Sequence, residues 1–534
     1  MSIVTTAAGR QQAVVSSTSS LFVPVVLIAG GVYLRLLFGA GTYLNPDEAY
    51  HFFLANRPSV SLAYQASLGS AHPPLLIVLL YYVRLISSSE IVLRLPSILA
   101  GALFCWAVYR WLQLISSQTA ALIGLALAAF TPSVVLLGAE VRQYSMLLFF
   151  MVAGLYFLER GLLTWSARSL LVSALFEVLA VLTHYSALLF VVVTGLYGFS
   201  RILDVRRKPV LMASWFAGQA AIAGAVVGLY FSHIRQLARA GAPQAIASTY
   251  LESTLFDSSK ANFVTFSARA TFRLFHYLFS QPVVAAVVLL LFAVGLVILW
   301  RGPSKVGTAQ PRRLMLFLLA GPLVNYAAAL ARAYPYGGTR HSVWLFVFVL
   351  AGASLGLSVP KVRSDAKVVS AVLLMLVCYL APHPLGAFIR FSNQRRSLMN
   401  AAVRKLQQAA PPGSVFLLDN QSNYAFRYYF CRDKVIDFQI PAPGFVDFAC
   451  GAYRATVPTA NSWMFTPTTL NPAVEHARTA FGVPPGQKIW FFQSGWAVDA
   501  EPALRAAMRG MGCSDPTQFG ANIVVCQVGP GGSF

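Results

Sequence analysis

"LFVPVVLIAGGVYLRLLFGAGTYLNPDEAYHFF", residues 21–53, joins a long apolar run to two adjacent carboxylates, Asp47 and Glu48. The apolar part, 21–38, approaches the roughly 20 residues that a helix needs to cross a bilayer. Carboxylates are costly at membrane depth and usually mark a pathway or a site. The stretch therefore predicts a membrane-spanning helix that ends next to a pair of functional acids.

The composition of the whole chain is that of a polytopic membrane protein. Of its 534 residues, 57% are hydrophobic and only 11% are charged, and the mean hydropathy is +0.64, which excludes the soluble classes. A formal net charge of +22 would suggest a nucleic-acid partner in a soluble protein. In a membrane protein, Lys and Arg collect at cytoplasmic helix ends and near anionic lipids. We therefore expect the lipid bilayer, and no nucleic acid, as a partner.

Three connecting loops set the predicted topology. Residues 201–209, 301–313 and 361–367 are short and rich in Lys and Arg, so the positive-inside rule places them in the cytoplasm. The first helix is expected to be retained, with a cytoplasmic N-terminus, because its apolar run is longer than that of a signal peptide. The predicted topology has eleven spans in total, including this first helix, and the odd number places the C-terminus outside. The predicted spans are 21–38, 94–114, 119–138, 143–160, 169–184, 186–203, 210–232, 281–300, 313–331, 342–359 and 367–383.

A further apolar segment, 73–86, is too short to cross the bilayer. Counting it as a span would move the basic loops outside, so we expect a helix at the outer interface. We thus predict a transmembrane domain over 1–383, with a catalytic first outer loop at 39–93.

Residues 384–534 differ from the rest of the chain. Long apolar runs give way to turn sequences such as "APPGS" and "VPPGQ" and to short β-like runs such as "SVFLLD", "KIWFFQS" and "NIVVCQV". This pattern predicts a soluble α/β domain outside the membrane, a compartment that permits disulfides. Nearest-neighbour bridges and free buried thiols are the alternatives for its four cysteines. The bridges would join Cys431 to Cys450 and Cys513 to Cys526.

The predicted topology brings polar residues from distant segments to the outer membrane face. The loops were assigned from Lys and Arg alone, so this convergence is an independent indication of a shared site. A scattering of interfacial charges would show no preferred side. The residues are Asp47, Glu48, His51 and His72 in the first loop, Glu140, Arg142 and Tyr144 in "GAEVRQYS", His184 and Tyr185 in "LTHYS", and Arg340 and His341 in "YPYGGTRHS".

These residue types suit the transfer of a sugar from a lipid-linked phosphate. Asp47 or Glu48 could accept the proton of a hydroxyl or amine as it attacks a sugar carbon. A departing phosphate needs fixed positive charge. The candidate cations are Arg142, Arg340 and those of one of two basic segments, "HIRQLARAG" or "SARATFRLFH", the second of which contains Arg269 and Arg273.

Six motifs in this order resemble one family. "NPDEAYH", "AHPPLL", "LRLPS", "EVRQYS", "LTHYSALL" and "GGTRHS" are similar to the glycosyltransferase family 39 and lipid A aminoarabinose transferase branch of the C-type (GT-C) glycosyltransferases. The resemblance covers roughly residues 20–345. It implies a polyprenyl-phosphate sugar donor and inverting transfer at the outer face of the bacterial cytoplasmic membrane. It also implies that no cofactor is required, with a weakly linked divalent cation as the alternative.

The resemblance also implies roles for single residues. Asp47 would be the catalytic base, with Glu48 and Glu140 as further acids and His72 of the HPP motif beside the site. Protein mannosyltransferases of the family often follow HPP with Gly-Lys, and "HPPLLIVLL" has no such lysine, which argues against that subgroup and against a protein acceptor. Nothing in residues 384–534 identifies the acceptor, so the expected acceptor is a lipid, a glycan or a protein. The other expected substrate-binding residues are Arg142, Tyr144, His184, Tyr185, Arg269, Arg273, Arg340 and His341.

Two other functions compete with this interpretation. A multi-pass transporter would often show two similar halves, and the sequence shows no such repeat. A lipid-linked polysaccharide ligase or scaffold is the second rival. Single residues also have structural alternatives: Asp47 as a helix cap, Glu140 as a partner of Arg142, and His184 as a helix-end histidine. Glu177, in the middle of a predicted span, has no assigned role.

Overall fold

The computed structural model describes residues 21–205, 207–239, 251–302, 310–359, 361–381, 387–432, 444–458, 464–495, 502–513 and 516–529. Apolar helices occupy the first part of the chain, and a mixed sheet with flanking helices occupies the last part. The chain is thus a membrane protein with a small sheet-containing region, as predicted. The predicted domain boundary, 383–384, lies outside the described residues and stays a prediction.

The helices of the first part include long apolar helices and short ones in the first loop. In chain order they are α1 (Phe22–Gly41), α2 (Pro46–Ala55), α3 (Val60–Ser67), α4 (Leu75–Ile86), α5 (Glu90–Ile115), α6 (Gln118–Phe130), α7 (Pro132–Gly138), α8 (Tyr144–Thr164), α9 (Ala167–Val181), α10 (Ser186–Ile202), α11 (Pro209–Leu229), α12 (Arg235–Arg239), α13 (Phe263–Phe279), α14 (Pro282–Arg301), α15 (Pro311–Leu330), α16 (Phe346–Ser358) and α17 (Ser364–Tyr379). A π-helix, Tyr230–Ile234, joins α11 to α12, and a 3₁₀ turn, Arg340–Leu345, precedes α16.

Among the described residues, seven helices are long and apolar enough to cross a membrane, and a bent pair would make eight. The other predicted spans correspond to α9, α10 and α17, which have 15, 17 and 16 residues. The count of eleven and the orientation in the membrane therefore stay predictions. The seven are Phe22–Gly41, Glu90–Ile115, Tyr144–Thr164, Pro209–Arg239, Pro282–Arg301, Pro311–Leu330 and Arg340–Ser358.

The prediction of one continuous helix over 119–138 is wrong, because the chain bends by 58° between α6 and α7. Pro132 has no N–H to donate and disfavours a helical conformation at the preceding residue, and Thr131 is accordingly extended, with φ −63° and ψ 122°. The buried Arg35 side chain donates to the carbonyls of Ala128 and Ala129, each at 3.3 Å. Since the last carbonyls of a helix lack intrahelical partners, Arg35 stabilises the break.

The last part of the chain forms the predicted α/β region around one six-stranded sheet. Its strand order is β2-β3-β1-β4-β6-β5, and β1 runs parallel to both β3 and β4. The three predicted strand runs are confirmed as β1, β4 and β6. The elements are α18 (Ala387–Asn393), α19 (Arg396–Ala409), β1 (Val415–Leu417), α20 (Asn420–Cys431), β2 (Phe445–Cys450), β3 (Tyr453–Pro458), α21 (Pro467–Phe481), β4 (Ile489–Ser494), α22 (Pro502–Gly510), β5 (Thr517–Phe519) and β6 (Ile523–Val528).

Alternate residues of the central strands face two separate cores. Phe416 packs with α19 and α20 on one face, whereas Leu417 packs with α21 and α22 on the other, as expected for a strand covered on both sides. Disulfides join Cys431 to Cys450 and Cys513 to Cys526, which confirms the nearest-neighbour pairing.

Helix α20 of the sheet region packs directly on the first loop. The rings of Phe52 and Tyr428 lie 5.2 Å apart, and the Tyr428 hydroxyl donates to the carbonyl of Ser88 at 2.6 Å. The Tyr429 hydroxyl accepts from the Leu44 N–H at 3.1 Å and donates to Glu90. The sheet region therefore braces the segment that leads into α2.

Candidate active site

Asp47 lies in the first turn of α2 and is shared by two arginines. Asn45 caps this helix and Pro46 is its first residue, which fixes where the chain turns. The Asp47 Oδ2 atom accepts from the Arg142 guanidinium and from Arg340 Nη1, the latter at 2.8 Å. Both the helix N-terminus and the cations favour the ionised carboxylate. Its side chain is 18% exposed, so a substrate can approach it.

Glu48, the next residue, is enclosed instead. Arg94 donates to Oε1 through Nε at 2.7 Å and to Oε2 through Nη2 at 2.8 Å. The N–H of Val141 donates to Oε1 at 2.8 Å, and the N–H of Asn45 donates to Oε2 at 3.0 Å in a capping box. Each carboxylate oxygen thus has two donors within the protein. Only 1% of the side chain is exposed.

Glu140 and Arg142 lie in the turn that follows the broken helix. Arg142 is almost completely buried, and the Ser97 hydroxyl donates to its carbonyl at 2.8 Å. Its Nε lies 3.8 Å from Glu140 Oε2, while Arg390 Nη2 lies 3.3 Å from Glu140 Oε1. Burial raises the pKa of Glu140, and Arg390 opposes this rise. The pair with Arg142, the structural alternative for Glu140, is thus formed, but its nitrogen–oxygen distance of 3.8 Å is long.

Four histidines cluster next to Arg340. The ring of His72 lies 5.4 Å from that of His184, 6.1 Å from that of His51 and 6.4 Å from that of His341. Burial lowers the pKa of His51 to about 4 and holds that of His72 well below its ordinary value, so both are neutral near pH 7. The HPP motif, the "LTHYS" turn and the "GGTRHS" turn thus meet in one imidazole cluster.

Two aromatic candidates border this cluster in different ways. The Tyr144 ring lies 5.3 Å from that of His184. Tyr185 instead bonds through its hydroxyl to His233 Nδ1 at 2.6 Å, and His233 Nε2 lies 2.9 Å from the carbonyl of Ser70. Tyr185 therefore supports the turn before His72.

Arg269 and Arg273 lie on α13, with their side chains exposed at the surface rather than inside the buried cluster. The helix itself reaches the site's glycine turn, because a Cβ on Gly338 would lie 2.8 Å from the Arg273 carbonyl. These two cations are thus neighbours of the site. The structure does not place them with Asp47.

Sequence reasoning missed three residues that complete the site. Arg94 stands in the apolar run "IVLRLPSIL", where a lone charge in a membrane helix was a usable signal. Arg390 pairs with Glu140, 250 positions away in the sequence, and the residues around Arg390 give no signal of this contact. His233 lies on the π-helix, a geometry often found at functional sites.

In the described part of the chain, no group of three or more His, Cys, Asp and Glu side chains is placed to hold a metal ion. The expectation that no cofactor is required stays a prediction.

Comparisons with known proteins agree with this architecture. Residues 71–231 match the family model described as dolichyl-phosphate-mannose-protein mannosyltransferase. No curated protein sequence matches the chain.

Solved structures of two proteins share the fold. ArnT from Cupriavidus metallidurans, bound to undecaprenyl phosphate, is 11% identical with a TM-score of 0.56, and the match covers 95% of this chain and 98% of that one. The apo oligosaccharyltransferase of Archaeoglobus fulgidus is 12% identical with a TM-score of 0.51, covering 90% and 70%. The chain spans 60% of that oligosaccharyltransferase in its zinc and sulfate complex. The family model thus matches residues 71–231 of this chain, and the fold of the chain is similar to that of ArnT and of the oligosaccharyltransferase.

Proposed function

We propose that the protein transfers a sugar from a polyprenyl-phosphate donor to a lipid, glycan or protein acceptor, with inversion, at the outer face of the bacterial cytoplasmic membrane. The observation that carries the proposal is the position of Asp47, a partly exposed carboxylate that Arg142 and Arg340 share beside a cluster of imidazoles. A base, two cations and neutral hydrogen-bonding groups are the parts that this reaction needs.

Asp47 acts as the general base in this mechanism. It takes the proton of the acceptor hydroxyl or amine as the new bond to the anomeric carbon forms. The bond between that carbon and the phosphate oxygen breaks in the same step, and the polyprenyl phosphate leaves. A single displacement of this kind inverts the anomeric centre.

Arg142 and Arg340 bind the phosphate that leaves. The donor is a phosphodiester with one negative charge, and the departing monoester gains a second, so guanidinium groups stabilise the transition state more than the ground state. Asp47 accepts hydrogen bonds from both arginines, so it and the donor phosphate compete for the same cations. Donor phosphate therefore displaces Asp47 from the arginines, which frees the base for the acceptor.

His72, His184, His341 and Tyr144 line the donor side of this arrangement, and Tyr185 supports it. The related ArnT structure binds undecaprenyl phosphate, the kind of lipid carrier that we propose here. Arg269 and Arg273, exposed on the neighbouring α13, contact the donor only as it approaches. Glu48 is a positioning residue, because its oxygens are fully engaged by Arg94 and backbone N–H groups.

Mass spectrometry of the cell envelope tests this function. Glycolipids and glycoproteins are compared between a strain with the gene, a deletion strain, and deletion strains complemented with the wild type or with Asp47→Asn. We expect the deletion to accumulate one polyprenyl-phosphate sugar and to lose one glycosylated product. Only the wild-type gene should reverse both changes. Identical lipid and protein glycans in all strains would contradict the proposal.

A further inference from the structure

His184 has a fixed tautomer, set by the turn between α9 and α10 that carries it. The N–H of Ser186 donates to His184 Nδ1 at 3.1 Å, and the Ser186 hydroxyl lies 2.9 Å from the same nitrogen. A ring nitrogen that accepts from a backbone N–H cannot carry a proton itself. Because a neutral imidazole holds one proton on its ring nitrogens, that proton is on Nε2. His184 is therefore neutral and presents an N–H group at Nε2.

This N–H group is buried and unpartnered. Only 2% of His184 is exposed, and its Nε2 has no hydrogen-bond partner in the described part of the chain. Native structures rarely keep a buried N–H group without a partner, because its desolvation is costly. His233 has the same tautomer, but its Nε2 donates to the carbonyl of Ser70 at 2.9 Å, and its Nδ1 accepts from the Tyr185 hydroxyl at 2.6 Å. The protein thus uses the N–H group of His233 internally and leaves that of His184 for a ligand.

The surroundings of His184 belong to the candidate active site. Its ring lies 5.4 Å from that of His72 and 6.0 Å from that of His341. His341 directly follows Arg340, one of the two arginines that bind phosphate in the proposed mechanism. His72 and His341 are only partly buried. A ligand that contacts these two rings therefore lies next to His184.

His51, another neighbour of His72, has the opposite tautomer. Its Nδ1 lies 3.0 Å from the carbonyl of Val141. Since a carbonyl can only accept, Nδ1 carries the proton and Nε2 is an acceptor. The cluster thus combines a fixed N–H group, on His184, with a fixed acceptor, on His51. A hydroxyl group can both donate and accept, whereas the phosphodiester of a polyprenyl-phosphate sugar can only accept. This combination suits the sugar better than the phosphate.

We infer that the Nε2–H group of His184 donates a hydrogen bond to one hydroxyl oxygen of the transferred sugar, which makes His184 a specificity-determining residue. The inference rests on the proposed function and narrows it to the recognition of the sugar. A phosphate oxygen could accept from the same N–H group, but Arg142 and Arg340 already bind the phosphate in the proposed mechanism. A sugar that lacks this hydroxyl leaves the buried N–H group unpaired, and the site discriminates against it for that reason.

The test removes the N–H group and single sugar hydroxyls, separately and together. Undecaprenyl-phosphate hexoses and pentoses are first screened for transfer by the full-length protein in detergent. The monodeoxy derivatives of the sugar that the wild type transfers are then compared. His184→Phe keeps a ring without the N–H group, and His184→Gln keeps an N–H group near the position of Nε2. His476→Phe, at a partly exposed histidine of α21 that pairs with Asp447, is the control. Affinity for undecaprenyl phosphate, which has no sugar, is measured for every variant.

We expect one monodeoxy sugar to lower kcat/KM of the wild type and of His476→Phe about tenfold. In His184→Phe, kcat/KM with the complete sugar should fall by a similar factor. Removing the same hydroxyl should then cause no further loss, because both changes delete one hydrogen bond. His184→Gln should recover part of the transfer and part of the discrimination. All variants should bind undecaprenyl phosphate as the wild type does.

Four outcomes would overturn the inference. A lower affinity of His184→Phe for undecaprenyl phosphate would mean that the N–H group contacts the phosphate. Losses that multiply for every monodeoxy sugar would leave His184 with a structural role alone. Unchanged transfer in His184→Phe would show that water satisfies the N–H group. No transfer of any sugar by the wild type would overturn the proposed function as well. If His184→Phe does not fold, His184→Gln replaces it: a weaker coupling at the same hydroxyl is expected, and no coupling at any hydroxyl would contradict the inference.

Discussion

The two sides of α2 carry adjacent carboxylates in opposite surroundings. Asp47 is partly exposed and shares two arginines beside a cluster of neutral histidines. Glu48 is buried, bidentate to Arg94 and bonded to two backbone N–H groups. A carboxylate with an open face can take a proton, whereas one with every oxygen engaged holds the backbone in place. We therefore expect Asp47 to be the catalytic base and Glu48 to be a positioning residue, a difference that their adjacency in the sequence does not reveal.

The largest expected effect lies on the Glu48 side and concerns stability. Glu48→Gln leaves Arg94 buried without its charged partner, and breaking a buried pair in this way costs about 3–5 kcal/mol. The melting temperature measured in detergent should therefore fall strongly for Glu48→Gln and only slightly for Asp47→Asn. The double variant Glu48→Gln/Arg94→Met should recover part of the loss, because it removes the unpaired charge. Equal stability of Glu48→Gln and the wild type would contradict the structural role that separates Glu48 from Asp47.

The next effect lies on the Asp47 side and concerns the donor. Under the proposed mechanism, Arg340→Ala removes a charge-assisted hydrogen bond to the polyprenyl phosphate worth about 1.5–3 kcal/mol, so affinity for undecaprenyl phosphate should fall about 10- to 100-fold. Arg340→Lys should restore only part, since an ammonium lacks the guanidinium fork. Titration with undecaprenyl phosphate measures this. Arg332→Ala, whose side chain is 53% exposed, is the matched control, and an equal loss in that variant would remove Arg340 from the phosphate site.

The smallest effect tests how the sheet region supports α2. Tyr429→Phe removes the hydroxyl that bridges Glu90 and the Leu44 N–H, which should cost about 1 kcal/mol. We expect turnover to fall several-fold while donor affinity is unchanged, because the contact orients the first loop and does not touch substrate. Tyr82→Phe, with a largely exposed ring, should show neither change. A lowered donor affinity in Tyr429→Phe would mean that the sheet region acts on the donor side.

Much of this site could be predicted because its residues sit at helix ends. Basic loops set which ends share a face, so Asp47, Arg142 and Arg340 could be grouped before any contact was known. The Glu140 to Arg390 and Glu48 to Arg94 pairs could not, since they depend on how helices pack side by side. The break at Pro132 had a local signal, but apolarity on both sides favoured one continuous helix. Strands β2 and β3 were missed because polar residues, Asp447 in β2 and Arg454 and Thr456 in β3, interrupt them, so neither shows a continuous apolar run like that of β1, β4 or β6; the alternation in β3 was a usable signal.

The most direct test of the central claim is the turnover of Asp47→Asn with a polyprenyl-phosphate sugar, measured together with its affinity for undecaprenyl phosphate. Asparagine keeps the size of the side chain and can accept a hydrogen bond, but it cannot take a proton. We predict turnover lowered about 100-fold or more, the usual share of general-base catalysis. Affinity for undecaprenyl phosphate should be retained or increased, because a carboxylate no longer competes for Arg142 and Arg340. Normal turnover in Asp47→Asn would contradict the account.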